Sequence, residues 1–298
     1  MASGPVRAAG WWYGSHHTGL SPRNTGSLAA VTVADALAAL DERYPPAWAA
    51  DWDRVGLVLG EPAAHVDTVL CVVDCVPETV AQAVEIGAQL IVAHHPLLLR
   101  GVSSVAPTTY KGRIVHDLIK RDVALIVAHT NADVARPGVS DALAERLGLL
   151  DVRPLVPGDA GPGAGAGRIG ELPVRMTLAE LTGHAAETLP PTSWGVRAAG
   201  NPDRIVSTVA VCGGAGDSYL ADVAAAGVDA YLTADLRHHP ASEFVAAGGP
   251  ALLDAAHWAT ERPWLDDVAE YLRLSIEATA VVSDIDTDPW TVAQRSRV

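Results

Sequence analysis

The sequence predicts an α/β fold of two related lobes, each built on a largely parallel sheet, with a metal site in the cleft between them. Three observations lead there. Short apolar, β-branched runs alternate with helical stretches, the alternation occurs twice, and the polar residues that follow the strands repeat in kind and order in both halves.

Residues 32–44 have helical spacing, with Leu37 and Leu40 on one face, and Pro45 and Pro46 end the helix. A β-branched strand follows at 69–73, then a helix at 77–86 stopped by Gly87, a strand at 90–93, a helix at 112–121 and a strand at 123–128. That order calls for parallel strands with helices packed on them. The later half repeats it: strand 208–212, helix 218–226 stopped by Gly227, strand 230–233, helix 241–247 and strand 251–255. The expected division is a flexible extension over 1–30, a first lobe over 31–150 and a second over 151–298. Residues 157–170, rich in Gly and Pro, are read as the linker between lobes. Those glycines lack the strand before and helix after that a dinucleotide-binding loop needs, and no G-x-x-x-x-G-K-[ST] occurs in the chain.

With 35 acidic against 21 basic residues the net charge is -14, which opposes binding to nucleic acid or to an anionic membrane. The longest apolar runs fall far short of the roughly 20 residues of a membrane span. Cys71, Cys75 and Cys212 lie in apolar, strand-like runs without C-x-x-C spacing, so buried free thiols in a reducing, cytoplasmic setting are expected. Residues 1–30 carry neither a secretory core nor Arg-rich amphipathicity, and His16 and His17 fall in that extension.

The chemistry sits in the repeated polar residues. His94-His95-Pro96 follows the second strand of the first half, and His238-His239-Pro240 comes shortly after its counterpart. After the third strands stand Ala128-His129 with Asp133, and Ala256-His257 with Glu261. Neutral imidazoles and carboxylates gathered at strand ends suit divalent zinc, iron or manganese. If a helix starts after 254, His257 and Glu261, four apart, project from one face, and His129 and Asp133 share that spacing. Pro96 ends the strand, which lets both His94 and His95 face one site. His94, His95, Asp133, His257 and Glu261 are therefore the expected ligands of two divalent ions. His129 is either a ligand or an orienting and proton-transferring partner, and His238 shares that alternative. Asp74 is expected to cap the helix after the first strand. Trp258, between two expected ligands, is either a wall of the substrate pocket or a buried support.

Together these residues resemble the NIF3 family of metal-binding proteins, also named for a GTP cyclohydrolase 1 type 2 activity. The resemblance is carried by Trp52-Asp53 with Val55-Gly56-Leu57, by LIVAHHP over 90–96, by AHTNAD over 128–133 followed by Gly138, by Gly167-Arg168-Ile169-Gly170, and by AHWATE over 256–261. It implies a two-lobed fold, a dinuclear site on the same five ligands bridged by Glu261, and a ring-like homo-hexamer. Arg54 stands where the family commonly has Asn, and Thr233-Ala234-Asp235 replaces the usual Thr-Gly-Glu. The extra domain that some members insert between lobes has no counterpart in the short interval here. The expected activity is metal-dependent hydrolysis of a small nucleotide or phosphoester, with Asp53 shaping the entrance. The alternative is a metal-binding scaffold or regulatory partner without turnover.

Overall fold

The computed structural model describes residues 30–294, so the expected extension, with His16 and His17, lies outside the described residues apart from Ala30. The first half runs α1 (Val33–Arg43), β1 (Gly56–Leu59), β2 (Thr68–Val72), α2 (Pro77–Glu85), β3 (Leu90–Ala93), α3 (Tyr110–Lys120), β4 (Ala124–Val127), α4 (Thr130–Val134) and α5 (Val139–Arg146). The second half opens with β5 (Leu150–Pro157), β6 (Gly165–Thr177), α6 (Leu178–Thr188) and β7 (Val196–Ala199). It continues with β8 (Ile205–Ala215), α7 (Leu220–Ala226), β9 (Ala230–Ala234), α8 (His238–Ala246), β10 (Ala251–Ala255), α9 (His257–Glu261), α10 (Trp264–Ile276) and β11 (Thr279–Val282). Local chemistry sets several starts. Thr32 and Asp35 form a reciprocal capping box on α1, Thr177 and Glu180 do the same on α6, and Pro77 occupies the first turn of α2, where its missing N–H costs nothing.

Two sheets result, ordered β1-β4-β3-β2-β11 and β5-β6-β8-β9-β10-β7. Strands β2, β3 and β4 run parallel, as do β8, β9 and β10, and an antiparallel strand flanks the third of each set, β1 beside β4 and β7 beside β10. The repeat seen in the polar residues is thus a repeat of topology. Each parallel set is buried on both faces, which is why it reads as an unbroken apolar run such as Leu90–Ala93.

Each half also sends its last elements to the other sheet. Helix α5 packs on β6 and β8, and its Leu143 and Leu147 belong to the core of the second sheet. Helix α10 packs on α1, β2 and β11, which places Trp264, Leu265, Val268 and Leu272 in the core of the first. The chain therefore passes from the first core to the second within α5, between Ala142 and Leu143, ahead of the expected division at 150, and returns to the first between Ala255 and Ala256. Residues 157–170, read as a linker, form the turn and first strand residues of the antiparallel β5–β6 hairpin. Arg168 explains why this segment is folded. Its guanidinium is fully buried, pairs with both oxygens of Asp141 at the start of α5, and donates to the carbonyls of Gly165, Gly167 and Ala135.

Among the described residues no helix is long and apolar enough to cross a membrane. All three cysteines are free and buried, and burial pushes the Cys71 and Cys75 thiols up to about 12. Both thiols should resist a disulfide reagent at pH 8 in the native protein and react on addition of denaturant; prompt native-state labelling would contradict their burial. Trp264 is fully buried and its Nε1–H donates to the Tyr44 hydroxyl at 3.0 Å. Trp264→Ala should cost about 3–5 kcal/mol in chemical denaturation, as expected for an aromatic cavity in a packed core.

Candidate metal centre

The ends of four parallel strands meet where the two sheets face each other. His94 and His95 follow β3, His129 follows β4, and Asp235 follows β9, while His257 opens α9 just after β10. Glu261 closes α9, one turn on from His257 and on the same face. Asp133 takes the matching place in α4.

Every imidazole is fixed from behind through Nδ1. That of His94 bonds the Ala128 carbonyl at 2.9 Å, that of His95 the Asp74 carboxylate at 2.8 Å, that of His129 Asp53 at 2.9 Å, and that of His257 Asp235 at 2.7 Å. Each Nδ1 thereby carries the proton, and each Nε2 is free to face a cation. His94, His95 and His129 form one set with ligating atoms within 4.8 Å of one another, and His95, His257 and Glu261 form a second. Glu261 reaches towards three rings. Its Oε1 is 3.0 Å from His257 Nε2 and 3.5 Å from His94 Nε2, and its Oε2 is 3.0 Å from His95 Nε2. Asp133 Oδ1 stands 3.6 Å from His94 Nε2.

A test of fit is whether these atoms already have partners. His94 Nε2, Asp133 Oδ1 and Glu261 Oε2 are buried and have no hydrogen-bond partner among the described residues, Oε2 standing at ion-pair distance, 3.0 Å, from His95 Nε2. Such orphaned atoms are costly inside a protein unless something cationic satisfies them. The second sign is Gly214, at φ +66°, where a Cβ would fall within 3.0 Å of His257 Nε2 and closer still to Glu261 Oε1. Only glycine leaves the space in front of that carboxylate open. The donor set fits a divalent ion.

Electrostatics agree. Burial alone would raise the Glu261 carboxyl, but His95, His257 and His94 hold it well below the usual carboxylate range. Burial opposes charge on His95 and on His257, yet Glu261, joined by Asp74 for one and Asp235 for the other, raises both above the ordinary imidazole range. For Asp133 burial wins over His94 and His129, and its carboxyl is raised. The pocket stabilises positive charge on His95 and His257 beside a fully buried carboxylate.

The structure brings His94, His95, His129, Asp133, His257 and Glu261 together. Asp53, expected at the entrance, is instead a buried tether: besides His129 it accepts the backbone N–H groups of Arg54 and Thr130 and the Thr130 hydroxyl. Asp74 does not cap α2; one oxygen holds His95 and the other accepts the Thr287 hydroxyl. Trp258 is 5% exposed in the first core, and its edge lines a cavity beside His95 and His257. His238 is not at the cluster. It lies exposed in the first turn of α8, edge-to-face against His239, because the second His-His-Pro falls inside a helix and Asp235 takes the strand-end position. Asp235 was legible only as the first polar residue after 230–234, aligned with His94 after 90–93.

Two cavities approach the cluster. One, of about 410 Å³, opens on His95 and His257; the other, of about 440 Å³, opens on His129, Asp133 and Glu261 between Trp52 and Tyr219. Because Asp235 orients His257, Asp235→Ala should weaken zinc binding about 10–100-fold with the fold retained, read by competition with a chromophoric chelator. Unchanged affinity would remove Asp235 from the site.

A family model described as Duf34/NIF3 (NGG1p interacting factor 3) matches residues 31–289. A Streptomyces coelicolor protein named GTP cyclohydrolase 1 type 2 homolog is 54% identical over 268 residues, covering 87% of this chain and 93% of its own. A Clostridium perfringens protein of the same name is 33% identical, covering 80% of this chain and 91% of its own. Among solved structures, a Staphylococcus aureus hypothetical protein superposes with a TM-score of 0.81 at 27% identity, over 89% of this chain and all of that one. With the whole two-sheet body and the His/carboxylate cluster inside the matched span, the chain belongs to the DUF34/NIF3 family.

Proposed function

We propose that the chain is a metal-dependent hydrolase that holds two divalent ions, of zinc, iron or manganese, and acts on a small nucleotide or phosphoester. The observation that carries this reading is the convergence of His94 Nε2, Asp133 Oδ1 and Glu261 Oε2, buried and without hydrogen bonds, beside imidazoles all tethered through Nδ1. His94 and Asp133 would hold one ion and His95 and His257 the other, with Glu261 between them. Such ions supply Lewis acidity towards a phosphoryl or carbonyl oxygen and lower the pKa of water.

The remaining chemistry belongs to the chain. His129, fixed by Asp53 with its Nε2 turned to the cluster, is placed to hold or pass a proton at that atom. Thr260 donates to the His257 carbonyl and accepts the Gly214 N–H, which locks the end of β8 against α9 and keeps the front of Glu261 clear. The surface is acidic, so attraction of an anionic substrate must come from the ions themselves. The name of the Streptomyces coelicolor relative points to the nucleotide class. The family description also speaks of an interacting factor, which keeps a metal-dependent scaffold as the second reading. The ring-like homo-hexamer and the cytoplasmic setting expected from the sequence belong to this proposal, and light scattering tests the former.

Elemental analysis of tag-free protein should find two equivalents of metal per chain, falling to one or none in Glu261→Ala. Turnover of a nucleotide and phosphoester panel should drop at least about 100-fold in His94→Ala and Glu261→Ala, the scale at which removal of a charge-stabilising group is felt. Residual rates equal to wild type in both variants would sink the hydrolase reading and leave the scaffold.

A further inference from the structure

Residues 283–290, which follow β11, lie against the metal scaffold, yet none of them belongs to the two sets of groups that could hold an ion. Their course is set by β11. Val282 pairs in parallel with Cys71 of β2, the Ser283 N–H bonds the Cys71 carbonyl at 2.9 Å, and the next residues run on beside Asp74, the carboxylate that orients His95. Little apolar surface holds the segment in place, since Asp284, Asp286, Pro289 and Trp290 are all exposed. Polar contacts do so instead. Ser283 donates to Gln82 Oε1, Arg262, the neighbour of Glu261, pairs with Asp284, and the Ser193 hydroxyl donates to the Trp290 carbonyl. Segments docked with few buried apolar contacts belong to the low end of local stability, where a ligand shifts their docking.

One contact reaches the cluster. The Thr287 hydroxyl donates to Asp74 Oδ2 at 2.5 Å, while Asp74 Oδ1 holds the Nδ1–H of His95 at 2.8 Å, and the carboxylate has no other hydrogen bond among the described residues. Thr287 stands 213 residues further along the chain than Asp74. Two successive turns present it: Asp286 Oδ1 accepts the Asp288 N–H and Asp288 Oδ1 accepts the Trp290 N–H, each at 2.9 Å. The same arrangement holds His129, with the Thr130 hydroxyl on Asp53 Oδ2 and the ring on Oδ1. That relay closes within one half of the chain and is reinforced by the backbone N–H groups of Arg54 and Thr130. The His94 ring rests on the Ala128 carbonyl, and the Asp235 carboxylate holds His257 with no second hydrogen bond among the described residues. Among the described residues, His95 alone of the four rings is fixed by way of the end of the chain.

We propose that Thr287 is a positioning residue of the metal centre. Through Asp74 it keeps the His95 ring turned to the cluster, so docking of 283–290 raises the affinity of the ion held by His95 and His257, and that ion in turn holds the segment down. The coupling runs both ways because docking and binding share one free-energy cycle. A ligating ring keeps its orientation when the carboxylate behind it is itself hydrogen-bonded, and metal affinity falls when that support is lost. The proposal rests on the metal-centre reading and adds that the two ions are held unequally, since among the described residues nothing in 283–290 bonds to Asp133 or to the carbonyl behind His94.

The test compares full-length wild type, Thr287→Val and Thr287→Ser. Each is titrated with zinc against a chromophoric chelator, and backbone hydrogen exchange over 283–290 is followed with and without zinc. Valine has the outline of threonine without the donor, and serine keeps the donor. Wild type should bind two equivalents. In Thr287→Val the affinity of one equivalent should fall about tenfold, the lower end for loss of such support because water reaches the partly exposed Asp74, and the other should not change. Thr287→Ser should bind both as wild type does. Zinc should slow exchange of the Asp288 and Trp290 amides at least about threefold in wild type and Thr287→Ser, but not in Thr287→Val. Wild-type affinity for both equivalents in Thr287→Val, an equal fall in both, a serine variant as weak as the valine one, or exchange in wild type that ignores zinc would each overturn the proposal while the metal centre stands. Wild type that takes up no zinc would sink the metal reading and this proposal with it.

Discussion

The constraint on which the rest depends is the burial of one carboxylate, Glu261, which is 3% exposed between two sheets. An ionised group so placed is sustained only if positive charge surrounds it. Three imidazoles from both sheets do this, and each is held by an anchor of its own: Asp74, Asp235 and the Ala128 carbonyl. The anchors are in turn placed by strand ends and by Thr287, so the order of the cluster is inherited from backbone that is itself fixed. Glycine at 214 completes the arrangement by conceding the space in front of the carboxylate.

The crossing of the chain between cores follows from the same place. Helix α4 and helix α9 carry Asp133 and Glu261 at the interface, and the elements after each, α5 and α10, continue into the opposite core. The cluster is thereby clasped by both halves of the chain. The buried Arg168–Asp141 pair fastens one crossing, and Trp264 against Tyr44 fastens the other. Charge burial and apolar burial divide the work, with apolar area supplying the cohesion and the polar set fixing the register.

Expectations from periodicity succeeded where a segment is buried on both faces. The strands 90–93 and 251–255 lie where the apolar runs put them, because a parallel strand covered by helices has to be apolar throughout. They failed at the margins. Strand β7 is short and half exposed, β5 alternates weakly, and β11 pairs in parallel with β2, more than 200 residues earlier in the chain, so no local pattern announces its partner. The glycines of 165–170 spoke for a linker because their folded reason, a buried guanidinium and a close approach of β5 to β6, lies elsewhere in the chain.

By itself the sequence determined the class of fold, the repeat, the absence of a membrane-spanning run, and the residue types gathered as imidazole and carboxylate at strand ends, since periodicity and spacing are local properties of a chain. Only the tertiary structure decided which of those groups meet. It brought in Asp235 and left out His238, turned Asp53 and Asp74 from an entrance and a cap into tethers for His129 and His95, and drew Thr287, Asp288 and Trp290 from the far end of the chain to the edge of the site. The physical reason is that a ligand needs a nitrogen or oxygen at a particular point with its other atoms already engaged. That condition is met by contacts between residues that no spacing along the chain relates.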